Sequence, residues 1–377
     1  MKHLLSIFGI ALAALTFTAC GGDDPEPNPN PTPKPDDKED DLSAYKKIDY
    51  KVRDLALIYQ GGAHRIDWNV EEFLPYVTHK FMNGDEEWIF DGYLFLEFTS
   101  GTNGGHQFTN GYGQPNATKA DWEWYLGRLF EKNKALDALD QAIERKKKVL
   151  GEPPFKHKVA LTCFVPIQDQ TDWGELDGKA LNFKRESDRT KAGVWFVDEL
   201  VSRFEAGGYD NLELYGIYMI CETAYEIESY TRNLKKHLEE KNLDFLWIPY
   251  FGASGAGSWK YYGFDIAYQQ PNHFFDVKVP DSRLDQAIEF ARASKMGLEF
   301  ECDENALSQV AGSKQSRMKA YIDYFEKHGV WYDTPVAYYT GNHMFLDMAR
   351  QPSPQNMQIL DRLCRFIVNR QKVAVKE

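Results

Sequence analysis

The chain has 377 residues, of which 43% are hydrophobic and 14% aromatic, enough to bury one large core or two smaller ones. Its formal net charge of -13 argues against nucleic acid as a partner, because phosphate binding requires a basic surface. The composition therefore favours a globular protein that does not bind nucleic acid.

The N-terminus has the pattern of an export signal. Lys2 and His3 precede an apolar run over 4–17, which is too short to span a bilayer as a stable helix. The next residues, Thr18-Ala19-Cys20, resemble a bacterial lipobox, which implies that Cys20 is lipidated and becomes the first mature residue. Gly21-Gly22-Asp23-Asp24 is similar to the acidic tag of Bacteroidetes lipoproteins that reach the outer face of the outer membrane. We therefore expect a signal over 1–20 and a lipid anchor at the cell surface; the alternative is an ordinary cleaved signal with a chance cysteine.

A segment rich in Pro, Asp and Asn follows the signal, and its composition predicts an extended, disordered tether over 21–44. No comparable segment occurs later, so we expect one folded domain over 45–377. Its four cysteines, Cys163, Cys221, Cys302 and Cys364, lack CxxC or Cys/His spacing. The sequence therefore predicts no metal site and no cofactor. Buried single thiols are the expected state, although an even number in an exported chain also permits disulfides.

Eight short apolar runs lie in the folded part, and most are separated by segments with helical periodicity. The runs cover 54–60, 90–98, 158–166, 212–222, 245–251, 264–270, 295–305 and 335–341. Helical patterns cover 69–78, the region from Thr118 to about 150, 189–206, 227–241, a segment near 282, 314–328 and 353–370.

This alternation predicts a parallel sheet covered by helices, and eight such units indicate a (β/α)8 TIM barrel. The competing interpretation is an open doubly wound sheet, but no Gly-x-Gly-x-x-Gly turn follows the first run. The glycine-rich stretch over 101–105 lacks the Lys-Ser/Thr of a phosphate-binding loop, so nucleotide binding has little support.

In a parallel barrel the functional residues lie at the carboxyl ends of the strands and in the loops that follow them. Applied to this sequence, that rule selects mainly carboxylates, amides and aromatic side chains. The acids with predicted catalytic roles are Glu222, Glu299 and Glu301, because strand side chains alternate and the last two share one face. The predicted substrate-binding residues are Tyr59, Glu97, His106, Gln168, Tyr218, Tyr250, Gln269, Gln270, Asn272, Asp303 and Tyr338, with Tyr339 beside the last.

A pair of carboxyl groups at such a mouth is what a glycosidase requires, one protonated as acid and one ionised as nucleophile or base. Glu222 ends the fourth run and Glu301 nears the end of the seventh. In this order the sequence resembles the large glycosidase superfamily built on this barrel, with its acid/base Glu after strand four and its nucleophile Glu on strand seven. The resemblance implies that Glu222 is the acid/base and Glu301 the nucleophile, with Glu299 as the alternative nucleophile. Cys221 stands where that superfamily commonly has Asn.

Structural roles compete with these functional ones. Glu222 could cap the following helix, because acidic residues favour helix starts, and Glu97 could bind an arginine inside the barrel, because buried acids are usually paired. His106 could be a loop hydrogen-bond donor. The loop aromatics Trp173, Trp259 and Tyr261 are candidates for a sugar platform, yet such residues also plug barrel mouths.

The sequence therefore predicts a surface-anchored glycoside hydrolase, retaining in mechanism, with a carbohydrate substrate. The alternatives are a non-catalytic glycan-binding lipoprotein and a hydrolase or lyase of another class on the same barrel. The stretches 90–98 and 297–301 also look like an uncharacterised family of Bacteroidetes lipoproteins, which implies no function. We expect a monomer that meets the membrane only through its N-terminal lipid.

Overall fold

The computed structural model describes residues 42–46, 50–62, 65–101, 105–224 and 227–375. Residues 374 and 375 are described by their backbone only. Eight strands in these residues form a closed barrel. In chain order they are β1 (Asp54–Tyr59), β2 (Gly92–Leu96), β3 (His157–Cys163), β4 (Leu212–Met219), β5 (Asp244–Trp247), β6 (Ile266–Gln269), β7 (Gly297–Cys302) and β8 (Val336–Thr340). Every adjacent pair is parallel, and β1 closes the ring by pairing with β8 as well as β2. The predicted (β/α)8 barrel is confirmed.

Helices surround the barrel and follow its strands. They are α1 (Val70–Val77), α2 (Lys119–Leu129), α3 (Ala135–Leu150), α4 (Glu186–Gly207), α5 (Glu228–Glu240), α6 (Ser282–Ala293), α7 (Gln315–Lys327), α8 (Val330–Asp333), α9 (Met344–Arg350) and α10 (Pro354–Val375). None of the helices in the described part of the chain combines the length and apolarity that a membrane span needs. The predicted signal, Cys20 and most of the predicted tether lie outside the described residues.

Strand β7 shows why the sequence makes a barrel with a polar mouth. Phe300 faces the helices, with its ring 5.4 Å from that of Tyr321 in α7 and 6.2 Å from that of Trp331 in α8. Glu299 and Glu301 alternate with it and face the barrel interior, where both line the same cavity. One strand therefore supplies both apolar packing outside and carboxyl groups inside.

The amino end of the barrel is closed by α10. Its Arg370 is buried and donates to the carbonyls of Trp331 and Thr334, each at 2.8 Å, and pairs with the buried carboxylate of Asp54 at 2.9 Å. The hydroxyl of Tyr338 donates to the same carboxylate, 2.7 Å from Asp54 Oδ1. The described cysteines are all free thiols, with Cys163, Cys302 and Cys364 buried and Cys221 half-buried.

Two short antiparallel hairpins also occur, and neither was predicted. One joins Thr78–Lys80 to Glu86–Trp88, and the other joins Glu175–Leu176 to Lys179–Ala180. Strands of two or three residues are too short for alternation to reveal them.

Candidate active site

A cavity of about 420 Å³ opens at the carboxyl ends of the strands. Its polar walls come from residues at or just beyond strand ends, which is where a TIM barrel places its functional groups. They include Arg65, Glu97, Glu222, Gln270, Asn272, Glu299 and Glu301. Aromatic side chains complete the walls: Tyr59, Phe98, Tyr112, Tyr218, Phe275 and Tyr339.

Glu97 is paired with an arginine. Its Oε2 lies 2.7 Å from Nε of Arg65 and accepts the backbone N–H of Gly62 at 2.9 Å. A side chain at Gly62 could not be accommodated, because its Cβ would lie 2.4 Å from the same oxygen. Arg65 also donates to Asn342 and lies over the ring of Tyr59, 4.3 Å from its centroid. This arrangement matches the structural alternative for Glu97, a buried acid neutralised inside the barrel.

Glu222 lies three residues beyond β4 and is held by two donors from different loops. Gln270 Nε2 donates to its Oε1 at 2.9 Å, and the hydroxyl of Tyr112 donates to its Oε2 at 3.2 Å. Burial raises the pKa of Glu222, and these two hydrogen bonds oppose the rise. Glu222 therefore lines the cavity, held there by Tyr112 and Gln270. It does not cap the following helix, because α5 begins at Glu228 and its N-cap residue is Ile227.

A chain of amides joins Glu222 to Glu301. Gln270 Nε2 also donates to the Ile248 carbonyl at 3.0 Å, while its Oε1 accepts from Asn272 Nδ2 at 3.0 Å. Asn272 Oδ1 accepts the N–H of Phe251 at 2.6 Å, and its Nδ2 lies 3.4 Å from Glu301 Oε1. A carbonyl can only accept and a backbone N–H can only donate, so these contacts fix the orientation of both amides.

Glu301 is buried and accepts hydrogen bonds from two neighbouring elements. Its Oε2 accepts the backbone N–H of Asn272 at 2.6 Å and the hydroxyl of Tyr321 at 2.5 Å. Burial nevertheless raises the pKa of Glu301 to about 7, against the lowering effect of these donors. Asn272 reaches this position with φ of 49°, a left-handed conformation that asparagine tolerates better than most residues.

Glu299 lies one step deeper on the same face of β7. It is 3% exposed, and no described residue donates a hydrogen bond to its carboxyl group or pairs with it. Burial raises the pKa of Glu299 well above its usual range, and the neighbouring carboxyls of Glu301 and Glu222 raise it further. Both effects favour the protonated form of Glu299.

Aromatic rings line the sides of the cavity. Phe98 and Tyr112 stack with centroids 4.0 Å apart and planes 17° apart, and Phe275 meets Tyr339 edge-on at 5.6 Å. Tyr112, at 38%, and Phe275, at 42%, are the most exposed rings of this set, and Tyr339 is half-buried. Flat apolar faces beside hydrogen-bonding groups suit ligands with mixed polar and apolar surfaces.

A protein-family model described as a domain of unknown function, DUF4855, matches residues 54–365. The chain belongs to the DUF4855 family. No curated protein matches the sequence.

Among solved structures, the DUF4855 barrel is similar to tryptophan synthase α-subunits. A mutant α-subunit from Pyrococcus furiosus has a TM-score of 0.36 and 8% identity, with 84% of this chain and 97% of that chain covered. An aminoacrylate-bound tryptophan synthase from M. tuberculosis has a TM-score of 0.35 and 10% identity, with 83% and 92% covered. Similarity this low supports no inference about function, and the barrel assignment comes from the chain's own strand order.

The cavity of this DUF4855 protein brings together many of the residues that the sequence predicts. These are Glu222, Glu299, Glu301, Tyr59, Glu97, Tyr218, Gln270 and Asn272. Their common property is that they face inward on a strand or follow directly from its end.

Two of the predicted residues, Gln269 and Tyr338, do not line the cavity, because the side chain of each points to the other face. Tyr338 points into the helical layer, where its hydroxyl binds Asp54 at the amino end of the barrel, and its neighbour Tyr339 lines the cavity instead. Gln269 is fully buried and donates to the carbonyls of Pro249 and Gln270, while Gln270 faces the cavity. In both strands apolar side chains occupy both faces, so alternation alone leaves the phase open.

The other predicted residues outside the cavity have local partners or lie elsewhere. His106 Nδ1 lies 2.9 Å from Asp121 Oδ2 at the start of α2, and Asp303 accepts from the Asn305 N–H at 2.8 Å. Gln168 lines a separate cavity of about 180 Å³, and Tyr250 is exposed on the loop after β5. None of these four side chains is part of the wall described above, which corrects their predicted placement.

Two of the loop aromatic residues predicted as a sugar platform, Trp173 and Trp259, do not line the cavity. Trp173 is buried against Trp122, with ring centroids 5.1 Å apart, and Trp259 is buried and donates to the Ser294 carbonyl at 2.8 Å. Phe98, Tyr112 and Phe275 line the cavity instead. Arg65, Tyr112 and Phe275 were missed because they lie in loops, where no periodicity marks which way a side chain points.

One group of side chains outside the cavity has spacing that could hold a metal ion. Glu304, His343 and Asp347 each offer a ligand atom, all within 4.8 Å of one another. However, Glu304 Oε1 already accepts the N–H groups of Asn342 and His343, and His343 Nδ1 lies 3.0 Å from Asp347 Oδ2. Within the described chain these contacts give the group a structural role in the loop after β8.

Proposed function

We propose that this DUF4855 protein is a glycoside hydrolase, with Glu222 as general acid/base and Glu301 as nucleophile. The observation that supports it best is the single cavity that contains both carboxyl groups, linked through Gln270 and Asn272. Glycosidases need two carboxyl groups on either side of the scissile bond, and amides and aromatic rings to hold hydroxyls and ring faces.

The donors around the two acids of β7 decide which of them is the nucleophile. A nucleophile must be ionised, and Glu301 receives the Asn272 N–H and the Tyr321 hydroxyl, both of which stabilise a carboxylate. Glu299 receives no such donor from the described residues, so we assign the nucleophile to Glu301. Glu222 is assigned the acid/base role from its position after β4, which is the order in the superfamily that the sequence resembles.

In the proposed reaction a Glu301 carboxylate oxygen bonds to the anomeric carbon as the glycosidic C–O bond breaks. Glu222 donates its proton to the departing oxygen. Glu222 then takes a proton from water, whose oxygen displaces Glu301 and releases the sugar with its original anomeric configuration. The reaction therefore retains stereochemistry.

We also propose that the enzyme is anchored to the outer membrane at the cell surface through a lipid on Cys20. The support is the short apolar run, the small residue before Cys20 and the acidic residues after it. A Pro-rich tether would hold the barrel away from the membrane, close to extracellular polysaccharide.

Turnover on a panel of aryl glycosides and polysaccharides tests the proposed activity. We expect Glu222→Gln and Glu301→Gln each to lower kcat by about a hundredfold or more, because each removes an essential proton transfer or bond. Glu213→Gln is the matched control, since this acid lies at the opposite end of β4 and pairs with Lys158 on the surface. NMR of the first-formed anomer tests retention.

Two outcomes would count against the proposal. If no substrate is turned over, yet a glycan binds equally well to wild type and Glu222→Gln, the protein is a glycan-binding lipoprotein. If turnover survives both substitutions, the activity belongs to other residues.

A further inference from the structure

The cavity has more acids than the described protein neutralises. Four carboxyl groups line it, and Arg65 is the one cationic side chain among the described lining residues. Arg65 is committed to Glu97, with Nε 2.7 Å from Oε2 and Nη2 3.2 Å from Oε1. Glu222, Glu299 and Glu301 are therefore left without a cation in the described cavity wall.

Of these three acids, only Glu299 also lacks hydrogen-bond donors. Glu222 is bonded to Tyr112 and Gln270, and Glu301 to Asn272 and Tyr321. Glu299 is 3% exposed and receives nothing from the described residues, although it faces the cavity. The carboxyl group of Glu299 faces the cavity without a partner among the described residues, so it is available to a donor on a ligand in the cavity.

The groups around Glu299 also favour a cation. Its electrostatic neighbours are the carboxyls of Glu222 and Glu301 and the phenol groups of Tyr59, Tyr218 and Tyr339. Carboxyl groups attract an ammonium group, and phenol oxygens can accept its hydrogen bonds. An anionic sugar would find no unpaired cation among the described lining residues, because the guanidinium of Arg65 is paired with Glu97.

We propose that the floor of the cavity is a binding subsite for an ammonium group, that Glu299 binds it, and that the ligand is a sugar with a free amine. This inference rests on the proposed function for the nature of the ligand, and it names the class of glycan. N-acetylated, neutral and uronic sugars lack the cation that the subsite requires.

Proton release gives this subsite a distinctive signature. Burial and the neighbouring carboxyls favour the protonated form of Glu299, whereas an ammonium group beside it favours the carboxylate, so we expect binding to release a proton to solvent. Glu222 and Glu301 face the same space and also become easier to ionise, and Arg65 stays paired with Glu97. Binding of an amino sugar should therefore release about one proton near neutral pH, whereas binding of the parent sugar should release none.

The test compares glucosamine, galactosamine and mannosamine with their N-acetylated and parent sugars, by NMR titration and by calorimetry in buffers of different ionisation enthalpy. We expect at least one amine to bind tenfold or more tightly than both of its counterparts, with proton release. Glu299→Gln should abolish that preference and the proton release, so that the amine and its parent sugar bind with similar affinities. Glu213→Gln should behave as wild type, and circular dichroism should show both variants folded.

Equal affinity for amine and parent sugar in the wild type would overturn the inference, as would an amine preference that survives in Glu299→Gln. The outcome is separable from the proposed activity. Turnover of neutral aryl glycosides without a preference for amines would support the proposed hydrolase and contradict the ammonium subsite. A preference for amines that depends on Glu299, without any turnover, would support the subsite and contradict the hydrolase.

Discussion

Glu301 links the chemistry of the site to the stability of the fold. Its pKa rises from 4.5 to about 7 on folding, because burial disfavours the charged form. The folded protein then binds more protons than the unfolded chain between these values, so the free energy of unfolding falls as pH rises through that window. The difference between these two pKa values corresponds to about 3 kcal/mol of the free energy of unfolding, and this contribution is lost above pH 7.

Glu301→Gln should remove this part of the pH dependence, because glutamine does not titrate. We expect the free energy of unfolding of the variant to change less between pH 4.5 and 7 than that of wild type, with a higher melting temperature at pH 8. Urea unfolding across that range measures both, with Glu213→Gln as control. If the free energy of unfolding depends on pH equally in the three proteins, Glu301 is not the group responsible for this pH dependence.

Tyr112 tunes the proposed acid from across the cavity. Its hydroxyl donates to Glu222 and stabilises the carboxylate, so Tyr112→Phe should raise the pKa of Glu222 while preserving the stack on Phe98. Since a general acid works only when protonated, the alkaline limb of the kcat/KM profile should move up by about 0.5–1 pH unit. An unchanged or downward-shifted limb would show that Tyr112 does not control this proton.

At the residue scale, the sequence was most informative where a strand has a polar face. Glu299 and Glu301 alternate with Leu298 and Phe300, so their shared inward face follows from the pattern. Tyr338 and Tyr339 sit in a strand that is apolar on both faces, and no pattern distinguishes inward from outward there. Arg65 lies in a loop, so only the three-dimensional structure reveals that it neutralises Glu97.

The elements of the barrel were easier to predict than their ends. Long apolar runs separated by amphipathic segments indicate parallel strands covered by helices, and that part of the prediction is confirmed. The observed strands are shorter than the apolar runs; β4, for example, ends at Met219, so Glu222 lies in the following loop. Apolar residues continue beyond the last ladder hydrogen bond because they still pack in the barrel mouth.

Helix α10 contributes a single buried cation to the opposite end of the barrel. Arg370→Met should lower the free energy of unfolding by about 3–5 kcal/mol, because it leaves the Asp54 carboxylate buried without its cation and several carbonyls without a donor. Urea unfolding followed by circular dichroism measures the loss.

Lys372→Met provides the control on the same helix. Its ion pair with Glu87 is largely exposed, so the change should cost less than about 1 kcal/mol. If the two variants lose similar amounts of free energy of unfolding, the buried Arg370–Asp54 pair stabilises the fold no more than the exposed pair does.

At the scale of the whole molecule, the DUF4855 match over residues 54–365 includes all eight barrel strands. It starts at Asp54, well beyond Cys20, so the proposed lipid anchor and the proposed active site belong to different parts of the sequence. Composition predicts a tether between them, because a segment rich in Pro and Asp cannot bury a core.

Cys20→Ser should separate anchoring from activity. We expect the variant to lose labelled-lipid incorporation and to leave the detergent phase in a phase-separation assay, because a thioether-linked lipid requires the thiol. Purified wild type and variant should turn over aryl glycosides at equal rates. Continued lipid labelling of the variant would refute Cys20 as the attachment point.

The amides between Glu222 and Glu301 have a direction. Gln270 offers its NH2 group to Glu222, and Asn272 offers its NH2 and N–H groups to Glu301, so both carboxyls meet only donors along this path. Amide nitrogens do not accept a proton at neutral pH, and no hydroxyl group lies along this path of four described side chains. The two amides therefore hold both acids in position without passing a proton from one to the other.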